Sequence, residues 1–245
     1  MKKGLSFLLI SALLLVCALS LLSCGEENIV YNLNGGALAD GAPTAYKEGE
    51  EVDFTKIVPV KVGYSFLGWF SDKDCTVPIA TTKGSTGEIN LYAKWQPNIY
   101  SISNELNGGE IDKEIPSSYV HSVGIDLSEL VPTKHCHRFD GWFLDEKFNT
   151  PATLDETRVG NVTIYAKWSP AEYKIEFCLD GGVLENAPST YTFGEGLDLS
   201  ALVPVKPGFT FAGWFSDTEL LSPINGITEG QTGEIKIYAS WTPNI

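Results

Sequence analysis

Residues 88–95, Glu-Ile-Asn-Leu-Tyr-Ala-Lys-Trp, alternate apolar and polar side chains without a break. Period two marks a strand with one buried face. Ile89, Leu91, Ala93 and Trp95 point inward; Tyr92 and Lys94 point out. The same pattern returns at 161–168 and 234–241. A second alternating set, Ile29/Tyr31/Leu33, returns as Ile102/Asn104/Leu106 and Ile175/Phe177/Leu179. It predicts an opening strand that ends at Asn34-Gly35-Gly36, Asn107-Gly108-Gly109 or Asp180-Gly181-Gly182. Asx-Gly supplies the positive φ of a tight hairpin turn. Tyr46, Tyr119 and Tyr191, followed by Val52-Asp53-Phe54, Ile125-Asp126-Leu127 and Leu197-Asp198-Leu199, read as a second short strand. Thr55, Ser128 and Ser200 then open a four-residue run stopped by Pro59, Pro132 or Pro204, the pattern of one capped helical turn. The chain is therefore β-rich α+β: small mixed sheets, each with one short helical turn.

Between these elements lies Phe66-Leu67-Gly68-Trp69-Phe70-Ser71-Asp72, repeated at 139–145 and 211–217. Its tryptophans stand 73 and 72 residues apart. A period of that size means three tandem copies of one unit, each able to carry a small core of its own. The copies run 28–97, 98–170 and 171–245. Links of two or three residues containing Pro97 or Pro170 are too short and stiff to be flexible tethers, which predicts a semi-rigid rod. Trp241-Thr242-Pro243-Asn244-Ile245 echoes Trp95-Gln96-Pro97-Asn98-Ile99, like the entry to another copy. Strict alternation puts Tyr64, Phe66 and Gly68 on one face of the motif strand and Leu67 and Trp69 on the other. Trp69 and Phe70 then face opposite ways.

The ordered series Leu-Asn-Gly-Gly, Lys-x-Gly-Tyr-x-Phe-x-Gly-Trp-Phe-x-Asp and Leu-Tyr-Ala-Lys-Trp resembles the Listeria–Bacteroides repeat, also called the internalin B-repeat. The resemblance covers residues 28–243. It implies three tandem β-grasp-like (ubiquitin-like) repeats, a bacterial surface or secreted setting, and adhesion, host contact or spacing as the role. It carries over no catalytic residue. His135-Cys136-His137 departs from the pattern where the other copies have Val62-Gly63-Tyr64 and Pro207-Gly208-Phe209, which puts the geometry of that turn in question.

Composition narrows the partners. The formal charge is −14, every repeat is acidic, and no basic stripe exists. That argues against nucleic acid or an anionic membrane surface. Of five cysteines, Cys75, Cys136 and Cys178 fall at non-equivalent places in the repeats. A disulfide framework would recur in register, so these thiols are incidental. Lys2-Lys3, an uncharged apolar run from Leu5 to Leu22, and Cys24 before Glu26-Glu27 have the layout of a secretory leader. It resembles a bacterial lipoprotein signal: residues 1–23 as signal peptide, Cys24 as the lipidated residue, 24–27 as the tether. The competing reading is an uncleaved transmembrane anchor. The lipid reading places the protein in the cell envelope, outer-membrane or surface exposed, with the membrane as one partner.

No pair of carboxylates with a His or aromatic cradle, as sugar hydrolysis would need, recurs at the same place in the three copies. His135 and His137 share a face with only the distant His121 as a third ligand, and a zinc site needs three or four convergent ligands. Asp72-Lys73-Asp74 lacks the Gly and Glu of a calcium loop. No cofactor, no metal and no enzymatic activity are expected. Trp69, Phe70, Trp142, Phe143, Trp214 and Phe215 remain as candidate partner-binding aromatics. The expected role is non-enzymatic adhesion or spacing by extracellular protein contact; the alternative is glycan capture for nutrition.

Overall fold

A computed structural model describes residues 25–245; the leader and Cys24 lie outside the described residues. The chain divides into two compact units, one running to Lys61 and resuming over Ser65–Gln96, the other holding Val62–Tyr64 and Pro97–Ile245. The first unit is built on repeat 1, and the second contains repeats 2 and 3.

Repeat 1 forms β1 (Glu26–Asn32), β2 (Ala45–Lys47), β3 (Tyr64–Phe70) and β4 (Ile89–Pro97) in the order β2-β1-β4-β3. β1 runs parallel to β4 and antiparallel to β2, so the sheet is mixed. Repeat 2 repeats this order with β5 (Ile99–Glu105), β6 (Ser118–Val120), β7 (His137–Phe143) and β8 (Val162–Pro170). Repeat 3 uses β9 (Glu172–Cys178), β10 (Thr190–Thr192), β11 (Leu197–Asp198), β12 (Phe209–Phe215), β13 (Pro223–Ile224), β14 (Gly226–Ile227) and β15 (Ile235–Pro243). There β13 extends the main sheet beside β12, and β11 and β14 form a separate ribbon. Each repeat has its own core, centred on Leu91 and Phe54, on Ile164 and Leu154, or on Ile237 and Leu199.

Four expectations change. The second strand forms at Tyr46, Tyr119 and Tyr191, not at 52–54 and its equivalents. Each tyrosine hydroxyl donates to a glycine carbonyl of the closing loop: Gly87 at 2.7 Å, Gly160 at 2.6 Å, Gly233 at 2.7 Å. Asp53 and Ile125 make only isolated bridges, and Leu197–Asp198 alone forms a short ribbon. Among the described residues the helical turn forms only in repeat 1, as a 3-10 turn over Phe54–Lys56 capped by Asp53 rather than Thr55; repeats 2 and 3 have single hydrogen-bonded turns there, Leu130 N–H to Leu127 O and Leu202 N–H to Leu199 O. The Asn-Gly turn has positive φ at both residues (48° and 86° in repeat 1) but makes no local hairpin. Ala37 beyond it bridges Val60, and β1 finds its antiparallel neighbour only at residues 45–47.

The fourth change concerns the motif strand. Its register slips between Phe139 and Gly141 and between Phe211 and Gly213. A bulge inserts one residue and resets the alternation. Phe66 and Trp69 consequently share the inner face, their rings 5.2 Å apart. The glycine of each motif has a φ of 125–135°, a conformation L side chains rarely adopt. A closing strand with no bulge keeps the predicted parity: Ile89, Leu91 and Ala93 are buried, while Lys94 is exposed.

Candidate functional site

Each Gly-Trp-Phe divides between core and water. Trp69, Trp142 and Trp214 are only 3, 6 and 4 % exposed. Their indole N–H groups donate to Ile57, Leu130 and Leu202 carbonyls at 2.8, 2.7 and 2.8 Å. A buried ring with its one donor satisfied keeps no polar group for a partner. The three tryptophans are thus core residues first, and what Trp69 and Trp142 still show outward lies in a groove between loops.

Phe70, Phe143 and Phe215 lie on the opposite face and are half-exposed. Phe143 pairs across the sheet with Tyr165, and Phe215 with Tyr238. These tyrosines alternate with the buried Ile164, Ala166, Ile237 and Ala239, so phenyl and phenol stand together on the outer surface. Lys94 Nζ lies 4.8 Å from the Phe70 ring centre, and Lys167 Nζ lies 5.1 Å from that of Phe143. An ammonium over a ring face is attracted to its quadrupole. In repeat 3, Ser240 stands at the lysine position, and the Phe215 face carries no such cover from this strand.

The loop after each phenylalanine is fixed by the motif's aspartate. Asp72 accepts the Thr76 and Val77 N–H groups at 3.0 and 2.6 Å; Asp145 accepts Asn149 and Thr150; Asp217 accepts Leu221 and Ser222. The same loops hold Cys75, Phe148 and Leu220 at φ of 52°, 57° and 55°. Backbone donors favour the ionised carboxylate, and the N–H groups of Thr76, Asn149 and Leu221 are the first cause holding the three carboxyls below their ordinary range. These carboxylates are turn formers, which accounts for their recurrence better than calcium does. A lowered folded-state pKa stabilises the fold above the unfolded value, and that contribution disappears as pH falls through the folded value. Thermal melts of the wild-type chain should therefore weaken below about pH 4. In the triple variant Asp72→Asn, Asp145→Asn, Asp217→Asn that acid dependence should flatten. An unchanged acid limb would assign it to other carboxyls.

The His135-Cys136-His137 segment keeps the turn of the other copies. Cys136 takes φ 53° where Gly63 and Gly208 have 78° and 80°. His137 N–H donates to Lys134 O at 3.1 Å, as Phe209 N–H does to Lys206 O at 3.2 Å. The two imidazoles converge on an aromatic ring, not on each other: His135 and His137 lie 6.2 and 6.0 Å from Phe193. His121 is elsewhere, its Nδ1 3.0 Å from Arg158 O.

One concave feature recurs. In repeat 2 a groove of about 640 Å³ lies over Leu127, Phe139, Gly141, Trp142 and Leu154. Its match in repeat 1, about 490 Å³, lies over Phe54, Phe66, Gly68, Trp69 and Ile79. The carboxylates on the repeat 2 rim, Asp126 and Asp155, accept the backbone N–H groups of Ser128 and Thr157. They form no acid–base pair aimed into the groove. Its walls are loops, 123–128 and 152–155 in repeat 2, which meet over the motif strand with no local signal in the sequence.

Three regions, 28–94, 100–167 and 173–240, match the model of the Listeria-Bacteroides repeat domain. Over 192 residues, 76 % of this chain, the sequence is 32 % identical to a protein of Evansella cellulosilytica described as a Gly-rich membrane protein, covering 22 % of that relative. A second membrane protein of the same organism is 32 % identical over 188 residues, 28 % of its length. Internalin H of Listeria monocytogenes is 27 % identical over 135 residues, 53 % of this chain and 24 % of the internalin. The chain thus spans about a quarter of the length of these relatives. No helix among the described residues is long and apolar enough to cross a membrane. Three consecutive matches, each with the same sheet order and the same divided Gly-Trp-Phe, place the chain in the Listeria–Bacteroides repeat family.

Proposed function

We propose that the protein is a non-enzymatic cell-surface repeat protein, lipid-anchored through Cys24, that binds an extracellular partner through the outward Phe–Tyr face of its repeats. The single observation behind this reading is the recurrence of Phe70, Phe143 and Phe215 on the water side of three separate cores, with Phe143 and Phe215 each paired to a tyrosine of the closing strand. Core positions recur because the fold does. A half-exposed phenyl ring contributes less to the fold, and clustered exposed aromatics mark interaction surfaces. The membrane and internalin relatives support an envelope setting, and the parallel pairing of first and last long strands supports the β-grasp-like reading.

An extracellular protein is the favoured partner, with adhesion as the outcome. Glycan capture is the second reading, favoured by Ser240 standing at the lysine position near the half-exposed Phe215, a ring suited to stacking against a sugar. Binding of the full chain to glycan and matrix-protein panels separates the two. Phe215→Ala should reduce binding of the true partner about tenfold or more, the scale of an interface hot spot, with an unchanged melting temperature. Binding to neither panel would favour a spacer.

A further inference from the structure

Repeats 2 and 3 meet through a short relay. The links between repeats are single residues, since β8 runs to Pro170 and β9 starts at Glu172. Ala171 N–H donates to Cys136 O at 2.9 Å, and Ala171 O accepts Phe193 N–H at 2.9 Å. The Phe193 ring then lies edge-on to His135 and His137. One residue of link, one turn and one ring thus make the joint. Phe193 is the second residue after the buried Tyr191. The second residue after Tyr119 is His121, and the same relay surrounds it in the same unit. Asn98 N–H donates to Gly63 O, His121 N–H donates to Asn98 O, both at 2.9 Å, and the Tyr64 and His121 rings are 5.0 Å apart.

Repeat 3 carries the accepting half of this joint. Asn244 N–H donates to Gly208 O at 3.0 Å, as Ala171 does to Cys136. Thr210 Oγ1 holds the Asn244 side chain at 2.7 Å. Pro207 and Phe209 stand where His135 and His137 flank Phe193. Phe209 is 36 % exposed, and Lys206 Nζ lies 4.5 Å from its ring centre. In repeat 1 the position equivalent to His121 and Phe193 is Glu48, an exposed carboxylate.

We infer that Pro207, Gly208, Phe209 and Asn244 form a docking face for a further repeat of this family, one with an aromatic ring two residues after its buried tyrosine. Glu48 withholds that ring from the chain's own first repeat. The argument rests on continuity with the joint already formed between repeats 2 and 3. An acidic side chain in place of the ring would have to lose water against Pro207 and Phe209, and the cation beside them, Lys206, is already paired with Asp180 at 3.0 Å. A donor at one end and an acceptor at the other make a head-to-tail contact, which adds copies one after another into a ring or an open chain. Charge at Glu48 therefore keeps copies of this chain apart while leaving the acceptor face available to a repeat that carries the ring.

Sedimentation equilibrium of the full chain in density-matched detergent tests this. The wild-type chain should stay monomeric. Glu48→Phe should at least double the weight-average mass, which should keep rising with concentration. Adding Phe209→Asp to Glu48→Phe should return the monomer, while the circular dichroism melt of each variant stays that of the parent. A monomeric Glu48→Phe chain would overturn the inference, and so would association that persists with Phe209→Asp.

Discussion

Trp142→Ala unfolds the second repeat at temperatures where the wild-type chain is folded. Trp142 is 6 % exposed and packs edge-on to Phe139 at 5.5 Å. Truncating a buried Trp to Ala costs about 3–5 kcal/mol. A domain of this size rarely holds more than about 3–5 kcal/mol from one hydrophobic core. The loss is therefore comparable to the whole stability of the repeat. It also strands Leu130 O, which accepts the indole N–H at 2.7 Å. Circular dichroism melting of the full chain should show a separate early transition covering roughly one of three repeats. Trp142→Phe should recover part of the loss by refilling the volume without the donor. A single transition unchanged from wild type would put Trp142 outside the core.

Gly109→Ala is the second severe change, and its cause differs. Gly109 is the last glycine of Asn107-Gly108-Gly109, and its φ is not in the left-handed region. A Cβ there would overlap Trp168 Cζ2 and lie 3.0 Å from Thr133 O. Trp168 cannot swing away without losing the bond from its N–H to Leu106 O, 2.9 Å. Overpacking of this kind costs about 1–3 kcal/mol. Gly230→Ala is the matched control, since nothing lies within 4 Å of a Cβ there. It should stay within about 0.5 kcal/mol of wild type, as surface substitutions do. Equal melting curves for the two variants would refute a packing role for Gly109.

The second glycine shows how far the sequence could be read. Asn107-Gly108 announced a tight turn, and Asn107 and Gly108 do have positive φ. That Gly109 is there for the edge of an indole ring 59 residues later is a tertiary fact with no local signal. The closing strands were legible in full because alternation alone specifies a half-buried strand. The motif strand was misread for a physical reason. A bulge at Asp140 or Ala212 shifts parity by one, and only the glycine beside it hints at the slip. The question of which aromatic faces water could be posed from Gly-Trp-Phe but not answered there. The answer depended on Ile57, Leu130 and Leu202 carbonyls reaching the indoles. The histidines followed the same rule. A pair that suggests a ligand set by spacing is oriented by Phe193, which belongs to the next repeat.

The central claim is that Gly-Trp-Phe is two things at once, a core residue and a contact residue. It is tested most directly on the triple variant Phe70→Ala, Phe143→Ala, Phe215→Ala. One sample serves for a melting curve and for titration against the partner found on the panels. The predicted result is a folded protein, melting within a few degrees of wild type, whose binding is lost. Full-strength binding by the folded triple variant would contradict it.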